Sequence, residues 1–186
     1  GGVAVADINN DNLPDIYFIC TNGKNRLYLN QGNFRFRDIT DSAGVGSEKG
    51  FDTAVSAVDV NADGFLDLIV NRSGPDDNPD RVMQVFINNG NLTFTDKAAE
   101  LGLIDKSPQT GVNFFDYDND GDLDCFVSAG DPSGSTLFRN DGNDVFTFTA
   151  NNVTANALDG QAGNADEISY AGYTAGVTID LNAPSS

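Results

Sequence analysis

One order of apolar and polar positions runs through the chain three times. A short stretch of small and branched residues comes first: Val3-Ala-Val-Ala6, Val55-Ser-Ala-Val58 and Val112-Asn-Phe-Phe115. A nine-residue polar stretch follows, then a nearly continuous apolar run: Ile16–Cys20, Leu68–Val70 and Cys125–Val127. Unbroken runs rich in Ile, Val and Phe suit strands buried on both faces. Next stand Leu27-Tyr-Leu-Asn30-Gln-Gly32, Val85-Phe-Ile-Asn88-Asn-Gly90 and Leu137-Phe-Arg-Asn140-Asp-Gly142. Each Asn-x-Gly ending reads as a hairpin turn. Four residues beyond each glycine stands a phenylalanine, Phe36, Phe94 and Phe146, which confirms the alignment of the three units. The first two units close on short turns or single helical turns, Asp38–Val45 and Asp96–Leu103.

Four antiparallel strands in a unit of roughly 50 residues describe one propeller blade. The expected fold is therefore all-β: three four-stranded antiparallel β-propeller blades at about 1–45, 46–104 and 105–150. Ala4, Ala6, Ser56 and Ala57 suit the crowded centre, and the second strands' apolar residues would pack between blades. Helical periodicity is absent, which excludes helical and leucine-rich solenoids.

The polar stretches carry the candidate chemistry. Asp116-Tyr-Asp118-Asn-Asp120-Gly121-Asp122-Leu-Asp124 sets carboxylates at positions one, three, five and nine, with glycine at six. Asp59-Val-Asn61-Ala-Asp63-Gly64-Phe65-Leu-Asp67 and Asp7-Ile-Asn9-Asn-Asp11-Asn12-Leu13-Pro-Asp15 repeat it with Asn at position three. In the first copy Asn12 replaces the glycine, and Asn also tolerates left-handed backbone. Crowded carboxylates repel one another unless a cation sits among them, and alternate oxygen donors before a tight turn suit Ca²⁺. Position seven would add a backbone carbonyl. An EF-hand needs Glu at position twelve and flanking helices. Position twelve here is Phe18, Val70 or Val127, each in a strand-like run.

Composition narrows the function. The 186 residues carry a net charge of −18, which argues against nucleic acid and anionic membrane surfaces. At 39 % hydrophobic residues with 13 Phe, a real core is affordable by composition, and no run is long enough for a membrane-spanning helix. There is no histidine, so no Ser–His or Cys–His nucleophile can form. The conspicuous carboxylates are committed to the loops, and Asp76, Asp77 and Asp80 read as a solvated loop, so an enzyme is not expected. Cys20 and Cys125 fall in apolar runs of different units and read as small buried residues. Asn71, Asn91 and Asn152 begin N-glycosylation patterns, a motif too short to carry weight. The chain opens directly within a repeat, and its natural N-terminus is expected upstream.

The three loops, the Leu-Tyr-Leu-Asn-Gln-Gly type of hairpin and the Phe-x-Asp-Ile-Thr ending resemble FG-GAP/VCBS repeats, the calcium-binding blades of integrin α-subunit propellers. Within that group the chain is most similar to bacterial proteins of the cartilage acidic protein type. The resemblance covers about residues 1–150. It implies about three Ca²⁺, held by Asp7, Asn9, Asp11 and Asp15; by Asp59, Asn61, Asp63 and Asp67; and by Asp116, Asp118, Asp120 and Asp124. The carbonyls of Leu13, Phe65 and Asp122 would complete the sets. The literal Phe-Gly and Gly-Ala-Pro signatures are missing. Three blades also fall short of the roughly seven that close a ring in this family, so a partial or open propeller is expected.

Residues 151–186 form a separate β-rich tail in this reading. Leu158-Asp-Gly160-Gln-Ala-Gly163-Asn-Ala-Asp166 resembles one degenerate RTX-type repeat, and Gly176–Leu181 reads as a strand. A single such repeat has no partner turn and is not expected to bind metal.

The expected function is a calcium-stabilised module of a secreted or cell-surface protein, acting in adhesion, ligand binding or scaffolding. A protein or carbohydrate ligand would sit on the face opposite the calcium loops, where Thr21–Arg26, Asp41–Phe51, Ser73–Arg81 and Leu103–Thr110 gather. The alternatives are a self-assembling subunit joined through open blade edges, and an accessory domain of a polysaccharide-active enzyme.

Overall fold

The structure is a computed structural model that describes residues 1–47, 51–74, 81–104, 108–130, 134–140 and 146–148. These all belong to one compact unit, Gly1–Phe148. The tail reading for 151–186, the carboxylates Asp76, Asp77 and Asp80, and Asn152 lie outside the described residues.

The first sheet runs β1 Gly2–Ala6, β2 Asp15–Ile19, β3 Arg26–Asn30 and β4 Phe36–Asp38. One turn of helix, α1 Thr40–Ala43, follows and ends on Gly44 at φ 77°. The second sheet runs β5 Phe51–Val58, β6 Asp67–Ser73, β7 Gln84–Asn88 and β8 Phe94–Asp96. The third runs β9 Gln109–Phe115, β10 Asp124–Ala129, β11 Thr136–Asn140 and β12 Phe146–Phe148. Each is an antiparallel meander in chain order, and the three sheets form an open set rather than a closed ring. This is the expected all-β architecture of partial propeller blades. The inner strands run longer than the small-residue stretches suggested, reaching back to Phe51 and Gln109.

Two apolar layers join the sheets. Tyr17, Ile19, Leu27 and Leu29, with Ile39, Ala43 and Val45, meet Leu68, Val70, Phe86 and Phe94 of the second sheet. The second sheet's other face, Ile69, Val85 and Ile87 with Ala98, Leu101 and Leu103, meets Val112, Cys125, Val127 and Phe138. β6 is thus covered on both faces, which is why its sequence reads as an unbroken apolar run. Cys125 is buried and Cys20 half-buried, and neither forms a disulfide.

Polar bonds stitch the same joints. Thr53 Oγ1 donates to the Gln109 carbonyl at 2.8 Å, and Asn71 Nδ2 to that of Gly111 at 3.0 Å. Asn71 is therefore buried inside a joint, and its glycosylation pattern is inaccessible in the folded chain. Between the first two sheets, Asn25 Nδ2 donates to Asp52 Oδ2 at 2.6 Å, and Arg72 Nε to Asp52 Oδ1 at 3.0 Å. The Arg72 guanidinium also meets Ser47 and Gln84.

The first sheet's outward face is apolar and open. Val3, Val5, Phe18 and Phe36 are 52, 63, 44 and 39 % exposed, and Tyr28 packs edge-on to Phe18. Their counterparts by position in the second sheet are Val55, Ala57, Val70 and Phe94, which pack into the joint with the first.

Candidate metal centres

Each polar loop is the connection between the first two strands of a sheet, closed by the pairs Ala6↔Asp15, Val58↔Asp67 and Phe115↔Asp124. Position one folds the loop around itself. Asp7 accepts the Asp11 and Asn12 N–H groups at 3.1 and 2.7 Å. Asp59 accepts those of Asp63 and Gly64 at 3.1 and 2.8 Å, and Asp116 that of Gly121 at 3.2 Å. Position five holds position seven: Leu13, Phe65 and Asp122 donate their N–H to Asp11, Asp63 and Asp120 at 2.8, 2.8 and 3.0 Å.

These turns need left-handed backbone twice. Position six has φ of 66° at Asn12, 89° at Gly64 and 99° at Gly121, so Asn serves where glycine was expected. Position four is left-handed as well, at Asn10, Ala62 and Asn119. The sequence signal for it is Asn in two loops of three, and the alanine of the third hides it.

Position nine does a second job. Asp15, Asp67 and Asp124 are almost fully buried. One oxygen of each takes the position-two N–H, from Ile8 at 3.1 Å, Val60 at 3.0 Å and Tyr117 at 2.6 Å. The other takes the N–H of the hairpin asparagine, from Asn30 at 2.7 Å, Asn88 at 2.7 Å and Asn140 at 2.8 Å. Burial pushes all three carboxyls above their usual range, Asp67 to about 6, against the lowering effect of these N–H bonds. Neighbouring carboxylates raise them further: Asp11 and Asp7, Asp63 and Asp59, Asp118 and Asp120.

The sequence marks the hairpin asparagines Asn30, Asn88 and Asn140 as turn formers. In the structure they also hold the loops. Asn30 Nδ2 donates to the Pro14 carbonyl at 2.9 Å, and Asn88 Nδ2 to Leu66 at 3.1 Å. Their Oδ1 atoms accept the Gly32 and Gly90 N–H groups at 2.9 and 3.0 Å. One short side chain therefore ties the hairpin to the loop end.

Position three divides the loops. Asn9 and Asn61 each donate Nδ2 to the position-five carboxylate at 3.0 Å. Asp118 has no amide to donate. Its Oδ2 lies 3.6 Å from Arg139 Nη1, and its Oδ1 is buried without a hydrogen-bond partner. One carboxylate oxygen each from Asp116, Asp118 and Asp120 lie within 4.8 Å of one another. Oxygens sharing one Ca²⁺ at roughly 2.4 Å can be at most about 4.8 Å apart, so the set has the span of a hard-cation site.

Two stretches, residues 7–70 and 73–127, match the model of the FG-GAP-like repeat. The chain belongs to the FG-GAP-like repeat family. All three loops fall inside the FG-GAP-like stretches, the first beginning at Asp7 itself. Cartilage acidic protein 1 of Xenopus tropicalis is 33 % identical over 141 residues, 74 % of this chain and 21 % of that protein. The proteins of that name from Mus musculus and Homo sapiens are 33 % and 31 % identical over the same shares. This FG-GAP-like chain thus spans about a fifth of the curated relatives it matches.

Proposed function

We propose that this chain is a calcium-binding repeat module of a secreted or cell-surface protein, in which about three Ca²⁺ hold the blades in shape. Asp7, Asn9, Asp11 and Asp15; Asp59, Asn61, Asp63 and Asp67; and Asp116, Asp118, Asp120 and Asp124 are the side-chain ligands, with the Leu13, Phe65 and Asp122 carbonyls beside them. The observation that carries the reading is the set of Asp116, Asp118 and Asp120 carboxylates of the right span, in which Asp118 also has its Oδ1 buried without a donor. A buried oxygen without a donor costs desolvation energy that a cation would repay.

The bound ion supplies positive charge to loops whose own N–H groups already shape them. Three ions would bring +6 against the chain's −18. The position-one and position-five carboxylates orient the turn, and position nine links the site to the hairpin. Binding energy then becomes folding energy. Secretion fits sites that fill at extracellular Ca²⁺ levels, and the relatives' name fits an acidic protein of an extracellular tissue.

The role of such a module is adhesion, ligand binding or scaffolding rather than catalysis. A protein or carbohydrate partner would dock opposite the loops. Calorimetric titration with Ca²⁺ tests the reading: about three equivalents should bind, and Asp11→Asn, Asp63→Asn and Asp120→Asn should each remove one. Absence of binding heat, or equal binding of Mg²⁺, overturns it.

A second reading, self-association, is favoured by the open apolar face of Val3, Val5, Phe18 and Phe36. It moves the joining surface from blade edges to a blade face. A size-exclusion profile that does not change between the native chain and Val5→Glu speaks against it.

A further inference from the structure

We propose that Arg139 is a tethered counter-cation for the third loop, which pairs with Asp118 and sets how strongly this loop depends on calcium. The inference rests on the calcium reading of that loop.

Two differences among the blades occur together at contacting positions. Where the first two loops have Asn9 and Asn61, the third has Asp118. Where the first two hairpins have Leu29 and Ile87 before the repeated asparagine, the third has Arg139. Leu29 and Ile87 are buried in the apolar layers, whereas Arg139 is exposed and reaches back to Asp118 at 3.6 Å.

The chemistry explains why the two changes go together. In the first two loops a neutral amide at position three damps the repulsion, donating Nδ2 to the position-five carboxylate at 3.0 Å. Asp118 replaces that donor with another anion next to Asp116 and Asp120. Arg139 returns positive charge from the neighbouring strand. Of the two Asp118 oxygens it lies against Oδ2, while Oδ1 is buried without a hydrogen-bond partner. A guanidinium is always charged and cannot itself enter a calcium shell, so it compensates without occupying the site. The consequence has two halves. Without calcium, Arg139 relieves the loop; with calcium, it repels the ion and weakens binding.

The test uses the full chain with Arg139→Leu, Arg139→Gln, Arg139→Lys, Asp118→Asn and the Asp118→Asn/Arg139→Leu double variant. The double variant restores the pairing of the first two blades. Two readouts are taken: the melting temperature in chelator, and the calcium affinity of the site that Asp120→Asn removes. Arg139→Leu and Arg139→Gln should lower the melting temperature in chelator and tighten calcium about two- to fivefold, the scale of a partly exposed charge pair. Arg139→Lys should stay near the unsubstituted chain, and the loss of melting temperature in chelator should vanish in the Asp118→Asn background. Weaker or unchanged calcium binding on Arg139→Leu, or an equal loss in chelator with Asp118→Asn in place, overturns the proposal. If the unsubstituted chain binds no calcium, the calcium reading fails and the affinity half falls with it. The chelator melts then decide by themselves whether Arg139 and Asp118 act as a pair.

Discussion

Asn88 Nδ2 donates to the Ile8 carbonyl at 2.8 Å, tying the hairpin of the second blade to the aspartate loop of the first. The same amide also reaches Leu66 at 3.1 Å, so one asparagine fastens two loops. Asn10 adds a parallel link from the first loop to the Gly64 carbonyl at 3.0 Å. Neighbouring sites are thereby mechanically joined, and ordering one loop helps to order the next.

Asn88→Ala should therefore destabilise the chain by about 2 kcal/mol, because two carbonyls lose their donor at a buried place. Asn30→Ala, whose amide stays within its own blade at Pro14, should cost less. Urea denaturation of the two variants compares them, and equal losses would argue against the inter-blade link.

Position nine and position five should separate by substitution. Asp67 accepts N–H groups from Val60 and Asn88 on its two oxygens, and an amide at that place would point a donor at a donor. Asp67→Asn is expected to lower stability by about 1–3 kcal/mol even in chelator. Asp63 also accepts two N–H groups, from Phe65 and Asn61, but at an exposed place where water can replace them. Asp63→Asn should therefore cost the chelated protein less, no more than about 1 kcal/mol, while removing the calcium response of its loop.

Ala62 sits at φ 57°, where Asn10 and Asn119 stand in the other loops. An alanine there bears left-handed strain that asparagine largely avoids. Ala62→Asn should raise stability by about 0.5–1 kcal/mol, read as a shift of the denaturation midpoint at unchanged slope. Gly64→Ala should lose about 1 kcal/mol from backbone strain alone, since a Cβ there meets nothing within 4 Å.

The joint between the first two sheets titrates. Burial raises the Asp52 carboxyl above its ordinary 3.8, although Asn25 and Arg72 pull it down. The folded chain then holds a proton at Asp52 that the unfolded chain has released, so this contribution is full below about pH 3.8 and is lost as pH rises through the elevated value. Asp52→Asn should remove that slope from the stability–pH curve. It should also cost about 3 kcal/mol at neutral pH, because Arg72 loses its buried carboxylate. A variant with the unsubstituted slope would contradict the assignment.

Much of this architecture was legible because a blade writes its strands as local patterns. The apolar runs at Ile16–Cys20 and Leu68–Val70 and the spacing of the aspartates located the strands and the loops between them. What lay hidden depends on neighbours distant in sequence. Thr53 and Asn71 look like polar interruptions until the carbonyls of Gln109 and Gly111 arrive from the next sheet. Asn88 reads as a turn former because Ile8 is 80 residues away. Arg139 carries no such signal in the sequence, since its meeting with Asp118 needs both the hairpin of β10 and β11 and the fold of the loop before it.

The most direct test of the account is thermal melting of the chain in Ca²⁺, in Mg²⁺ and in chelator. Loops that fold around their ions require a rise in melting temperature that calcium produces and magnesium does not match. Identical melting in all three conditions would mean that the aspartates of Asp7–Asp15, Asp59–Asp67 and Asp116–Asp124 only shape acidic turns, and the calcium reading would be wrong.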